Sequence, residues 1–462
     1  MLQARRAHRL RPVSRTWSHR VLVATWTSAA IWVVVVSVTR GRALQRKVPA
    51  VFLGAAPLVG RNARDGWDWR FSWSLIAAAA VAGAVITGCA CGWWARLRLR
   101  WLLLATAVAS STFATLLALT DGSDGILYGA QNKTEYLINL PKAPSGTKYL
   151  RSFVHLVNAN AYSVHVRGHP PGFLGLLKFL NWLGIGGAWT TALLSVVATG
   201  VSALCVLVVV RVIADRSWVD RVAPFLVVAP YLIWMVTSAD AVYTSLGAVG
   251  TAAIAFGATR SGRTAAACGS LGGIALGCLL FGTYLGAVFL MVPLALWLVL
   301  WRQRHRVPAA VGAGAVIGLL IIVLAFRAGG FWWLDGLRAT NTAYNNGSAK
   351  IRPWSYFAVG NIGAALLAVG PAFVAGIAGL RDRRIWAIAG AGLLAVAVSH
   401  LSKYTKAEVE RIWLLFYPWL TVAAGSLFAG RRLAKRSTTG ALWVGVQASC
   451  AILLQSALVT KW

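Results

Sequence analysis

The chain has 462 residues, 58% of them hydrophobic and 12% charged, with 45 Lys and Arg against 12 Asp and Glu for a formal net charge of +33. Together with a mean hydropathy of +0.66, this excludes a soluble globular domain and places the chain among polytopic membrane proteins. The charge does not imply a nucleic-acid partner, because the basic residues punctuate apolar runs and form no single patch or stripe.

A bilayer-spanning helix takes about 20 apolar residues. Thirteen such windows recur, at roughly 21–39, 72–94, 101–120, 188–210, 222–238, 241–258, 265–282, 284–300, 308–326, 356–379, 385–400, 412–429 and 440–459. The expected fold class is therefore an all-α integral membrane protein with about 13 transmembrane helices. The start, with Arg5, Arg6, Arg9, Arg11 and Arg15 ahead of a long apolar run, reads as a retained anchor without a clear cleavage site.

With the amino terminus in the cytoplasm, every second short connection is basic, as the positive-inside rule requires. These connections carry Arg96/Arg98/Arg100, Arg211/Arg216/Arg221, Arg260/Arg263, Arg302/Arg304/Arg306, Arg381/Arg383/Arg384 and Arg431/Arg432/Lys435/Arg436. One segment disagrees: residues 40–71 hold seven Arg and Lys, yet parity puts them outside, so the orientation of the first helix pair stays open. Nine of the twelve acids then fall outside or at outer ends of spans: Asp65, Asp68, Asp121, Asp124, Glu135, Asp240, Asp335, Glu408 and Glu410. The six cysteines all lie in apolar runs and show no metal-ligand spacing or disulfide framework.

Residues 121–172 form the longest well-supported outer loop, and its aromatic and apolar content predicts short juxtamembrane helices. Asp121 and Asp124 open it; on a continuing helical turn both carboxylates would share one face, the alternative being a solvated helix end broken by Gly122 and Gly125. The loop closes on His165-Val166-Arg167-Gly168-His169-Pro170-Pro171-Gly172, where two prolines fix the backbone beside two histidines and an arginine. Residues 173–184 are too short to cross and contain Lys178 and Asn181, which predicts an interfacial or re-entrant helix.

Further along, Asp240 sits between two apolar windows, either as a site residue or as a helix cap. The connection 327–355 offers Asn341, Tyr344 and Asn345, apt for sugar hydroxyls. In 400–411, Lys403, Lys406 and Arg411 stand beside Glu408 and Glu410, either as a surface ion network or as a seat for an anionic lipid headgroup.

These residues resemble the C-type (GT-C) polytopic membrane glycosyltransferases that use polyprenyl-phosphate sugars, in an actinobacterial subtype with a His-Pro-Pro-Gly turn. The resemblance rests on Asp121 or Asp124 after a span, His169-Pro170-Pro171-Gly172, Asp240, and the Glu408-Val409-Glu410-Arg411-Ile412-Trp413 entry into a late span. It covers roughly residues 101–430 as a catalytic membrane core, with 1–100 as an amino-terminal arm and helix pair and 431–462 as a last transmembrane helix. It implies an inverting transfer of one sugar, hexosyl or pentosyl, from a lipid phosphate to an acceptor hydroxyl of a glycan or lipid on the extracytoplasmic face of the cell membrane.

In that scheme Asp121, or else Asp124, is the general base and His169 a catalytic neighbour. His165, Arg167, Asp240, Lys403, Lys406, Glu408, Glu410 and Arg411 form the substrate-binding set. A divalent metal, Mg2+ or Mn2+, bridging Asp121, Asp124 or Asp240 to phosphate is chemically compatible but not required. Two other classes share the same headgroup contacts: a transporter or flippase of lipid-linked sugars, and a non-catalytic lipid-binding membrane subunit.

Overall fold

The computed structural model describes residues 14–49, 51, 53, 69–304, 307–428 and 437–458. Arg5, Arg6, Arg9, Arg11, Asp65, Asp68, Arg306 and the 431–436 basic cluster lie outside the described residues. Among the described residues all regular structure is helical. Nine helices of the described residues are long and apolar enough to cross a membrane: Val21–Lys47, Trp73–Ala90, Leu99–Asp121, Ala188–Ile213, Gly262–Gly282, Leu285–Gln303, Ala309–Ala328, Arg383–Leu401 and Thr438–Ala457. By these lengths and this apolarity the chain is a multi-pass membrane protein.

A tenth crossing arises if the pair Trp354–Val369 and Pro371–Gly379, bent by 89° at Gly370, counts as one span. The break frees backbone groups that lipid cannot satisfy. Gln447 of the last helix supplies both partners, its Nε2 donating to Val369 O at 2.8 Å and its Oε1 accepting from Ala372 N at 3.0 Å. Gly370 has φ +85, and a Cβ there would meet Gln447 Oε1 at 2.5 Å, so the bend requires glycine.

Two of the thirteen apolar windows take other forms, and a third is a helix not counted above. Window 222–238 is the end of a helix, Arg216–Val227, containing Pro224, followed by a 3-10 turn over Pro230–Trp234. Window 412–429 is a series of short turns, with Pro418 in the helix Tyr417–Thr421. Both are buried almost throughout, because proline interrupts the helix and an element that is apolar all round belongs inside protein. Window 241–258 is one helix, Asp240–Gly257, also largely buried. Hydropathy cannot separate such core pieces from lipid-facing spans.

Residues 121–187 fold into short helices, Asp124–Gln131, Lys148–Asn158, Val164–Arg167 and Gly172–Trp182. The last has 11 residues, about 16 Å at 1.5 Å per residue and too short to span.

Close helix packing comes from glycine pairs that composition alone did not single out. A Cβ on Gly269 would lie 2.2 Å from Val311 O, and one on Gly273 2.0 Å from Ala315 O. Opposite them, Gly314 would meet Ala266 O at 2.3 Å and Gly318 would meet Ser270 O at 2.2 Å. The helices Gly262–Gly282 and Ala309–Ala328 thus press two small-xxx-small faces together, the packing that replaces the hydrophobic drive within lipid. Gly273→Leu should destabilise the protein by about 1–3 kcal/mol through overpacking. Gly83→Ala, whose Cβ meets nothing within 4 Å, should leave the detergent melting temperature unchanged, and equal shifts for the two variants would refute the packing.

Candidate functional site

The buried side of the 121–187 segment converges on Arg411. Its side chain is 2% exposed and reaches three partners. One terminal nitrogen donates to Glu135 Oε1 at 2.8 Å, Nε donates to Asp240 Oδ2 at 2.9 Å, and the other terminal nitrogen lies 2.9 Å from His165 Nδ1. Glu135 and Asp240 are themselves buried. Since a guanidinium only donates, His165 Nδ1 is the acceptor and Nε2 carries the proton, 3.4 Å from Glu135 Oε1.

Each member is placed by local structure. Arg411 sits on the short helix Val409–Ile412. It follows Ala407 and Glu408, whose φ values of +74 and +61 are left-handed without being glycine. Such residues cost about 1–3 kcal/mol each and persist where surroundings over-determine them. The surroundings here are Arg352, donating to Lys406 O at 2.8 Å and to Glu408 Oε1 at 3.3 Å, and Asn361, whose Nδ2 donates to Thr405 O at 2.6 Å. Asp240 starts the helix Asp240–Gly257 and accepts from Ser238 Oγ at 3.0 Å. It does not act as that helix's side-chain cap.

The His-Pro-Pro-Gly turn packs against the same core. A Cβ on Gly172 would lie 2.3 Å from Phe281 O, so only glycine permits this approach. Tyr149 OH donates to Pro171 O at 2.7 Å. His169 Nδ1 lies 2.8 Å from His165 O, which fixes the proton on Nδ1, and its ring stacks on Tyr243 at 5.6 Å. The Tyr243 and Tyr136 hydroxyls meet at 2.9 Å.

Burial, followed by the nearby Arg411 charge, pushes the His165 pKa down to about 3, and burial lowers that of His169. Burial raises Tyr136. For Arg411 burial acts downward, but Glu135 and Asp240 outweigh it and the net shift is upward. With both histidines neutral, one cation faces two carboxylates.

The other expected residues lie elsewhere. Asp121 ends a 3-10 turn, Gly122 at φ +67 breaks the chain, and Asp124 begins a new helix, so the two carboxylates do not ride one continuing turn. Both are exposed. Asp121 is paired with Arg70. Arg167 bonds Asn160, Lys403 Nζ sits 5.9 Å over the Trp354 ring, and Lys406 Nζ donates to Ala349 O at 3.3 Å. Glu408 joins Arg352, and Glu410 is buried. Lys403, Lys406 and Arg411 thus make no single cationic patch, because Arg411 is turned inward onto acids. Among the described residues no group of three or more His, Cys, Asp or Glu is arranged to hold a metal ion, and with Asp121 on Arg70 and Asp240 on Arg411 these acids do not offer a divalent-cation cage.

Glu135, Tyr136, Tyr243 and Arg70 were not selected from sequence. The scarcity of acids pointed toward Glu135, but nothing local signals its partner 276 residues away.

Breaking a buried ion pair leaves a charge stranded. Arg411→Met should cost about 3–5 kcal/mol of stability, and adding Glu135→Gln with Asp240→Asn should recover much of it; a triple variant no more stable than the single would refute the charge argument. Because the folded His165 stays neutral down to about pH 3 while an unfolded one titrates near 6.5, the unfolded state binds the extra proton between those values. Stability should therefore be full above about pH 6.5 and fall as pH drops, by up to about 1.4 kcal/mol per unit from this residue. Thermal melts of native protein and His165→Asn from pH 7.5 to 4 check this, and parallel profiles would refute it.

No protein-family model matches the chain, and no curated protein matches it either.

Proposed function

We propose that the chain is an inverting membrane glycosyltransferase, moving a sugar from a polyprenyl-phosphate donor to an acceptor hydroxyl of a glycan or lipid on the extracytoplasmic face, with the amino terminus in the cytoplasm. The observation that carries this reading is convergence. Asp240, His165 and Arg411, selected as site residues from the sequence, meet through direct contacts across 171 and 246 positions, with His169 held by the His165 carbonyl. Scarce ionisable groups are seldom gathered inside a membrane protein without a role there.

In this reading the Arg411 cluster is a rigid support that fixes the His165–Gly172 turn, while the chemistry runs at the exposed boundary acids. A sugar hydroxyl is a poor nucleophile. Asp121 accepts its proton as the oxygen attacks the anomeric carbon, the bond from that carbon to the phosphate oxygen breaks with inversion, and the leaving polyprenyl phosphate departs as an anion needing cations but no proton. Arg70, already at Asp121, is such a cation, and Asp124 is the alternative base.

The buried network also fits a transporter or flippase of lipid-linked sugars, since intramembrane ionisable groups mark transport paths as well. Transfer releases free polyprenyl phosphate and needs an acceptor; transport moves the donor intact. Purified protein given a polyprenyl-phosphate sugar and acceptor glycan should form a glycosidic product, and Asp121→Asn should lower turnover about 100-fold or more while donor affinity holds. Near-normal transfer by both Asp121→Asn and Asp124→Asn would remove this mechanism.

A further inference from the structure

A second feature lies away from the Arg411 cluster. Between the Trp73–Ala90 and Thr438–Ala457 helices runs an apolar groove of about 870 Å3. Ala441, Gly445 and Ser449, four residues apart, lie along one face of the last helix, and Trp69, Ile86 and Leu453 also line the groove. It extends from Ala90 and Thr438 at one end to Trp69 and Ala457 at the other. The 18 residues of the Trp73–Ala90 helix make it about 27 Å long, close to the roughly 30 Å of a hydrocarbon core.

The Trp69 end is where the chain places a cation. Arg70 follows Trp69, and its backbone N–H donates to Ser456 O at 2.7 Å. Its guanidinium bonds the carbonyls of Gln455 and Leu458 and the carboxylate of Asp121. Nε is buried and has no hydrogen-bond partner among the described residues. An apolar groove whose Trp69 end adjoins the residue that carries a guanidinium matches a molecule that is hydrocarbon along its length and anionic at its head.

We infer that this groove holds the hydrocarbon chain of a polyprenyl phosphate, with Arg70 receiving the phosphate. This rests on the transferase reading, in which Arg70 already faces the leaving phosphate, and adds the seat of the donor's hydrocarbon chain. Phosphate arriving at Arg70 competes with Asp121 for the guanidinium, so loading the donor releases the carboxylate that accepts the proton. Arg70 is then both a phosphate ligand and the residue that keeps Asp121 paired while no donor is present.

The test measures binding separately from transfer. The full chain in nanodiscs is titrated with undecaprenyl phosphate, carrying no sugar, against excess phosphatidylglycerol, an anionic lipid with two ordinary acyl chains. Gly445→Phe fills the groove at a position whose Cβ meets only Ile86 Cδ1 at 3.6 Å, and Arg70→Gln removes the cation. Each should weaken polyprenyl phosphate binding about tenfold or more, with a melting temperature near that of the native protein for Gly445→Phe. If Arg70→Gln does not fold, Gly445→Phe carries the test alone.

Unchanged polyprenyl phosphate affinity in Gly445→Phe, or in Arg70→Gln where it folds, would overturn the inference, as would loss of binding to the excess phosphatidylglycerol, which would mark a general lipid surface. Groove-dependent binding with no sugar transfer by the native protein would support the groove and remove the transferase reading. Transfer by the native protein with binding indifferent to Gly445→Phe would do the reverse.

Discussion

The guanidinium of Arg411 ties together parts of the chain that have no other reason to meet. It joins the first long polar segment through Glu135 and His165, the start of a buried helix through Asp240, and its own late loop. Taking these charges out of water costs several kcal/mol per ion, and only geometry that uses most donors and acceptors offsets it. The cluster therefore contributes less net stability than definition: few arrangements satisfy it, so the turn and the late loop are held in one relative position. The left-handed backbone at Ala407 and Glu408 persists in that setting, braced by Arg352 and Asn361.

Around this fixed point the helices pack by two different rules. Where they face each other through Gly269, Gly273, Gly314 and Gly318, backbones touch and side chains are absent. Where a helix must break, a polar side chain from a neighbour completes the backbone, as Gln447 does at Gly370. Both are answers to one constraint, the lack of water inside a membrane. Along the groove on the last helix, by contrast, small residues such as Gly445 face open space and a single distant side chain, Ile86, and no backbone.

Much of the fold was legible because hydropathy reports apolar runs directly, and nine of the expected windows coincide with long apolar helices. Windows 222–238 and 412–429 were misread as plain spans because burial in protein and burial in lipid select the same residues; Pro224, Pro230 and Pro418 were the available signals of interruption. In the site, Asp240 stood out because carboxylates are rare in this chain, His165 and His169 because they fall just ahead of two prolines, and Arg411 because it belongs to a dense late cluster of ionisable residues. Their partners did not, since pairing across hundreds of residues leaves no local pattern. The inward turn of Arg411 was equally hidden: sequence showed three nearby cations, while their separate destinations depend on the strained loop that carries them.

The sequence separation within the Arg411 cluster has a consequence for how the protein is made. Glu135 and Asp240 leave the ribosome 276 and 171 residues ahead of their cation, a lead of roughly 10–50 s at ordinary rates of synthesis. During that interval two carboxylates destined for the interior lack their countercharge, and keeping them hydrated is cheaper than burying them. An ionised Glu135 is therefore better kept in water than docked until the late loop arrives. Insertion of the early helices and closure of the interior are separate events in time, the second waiting on a single residue made long after its partners.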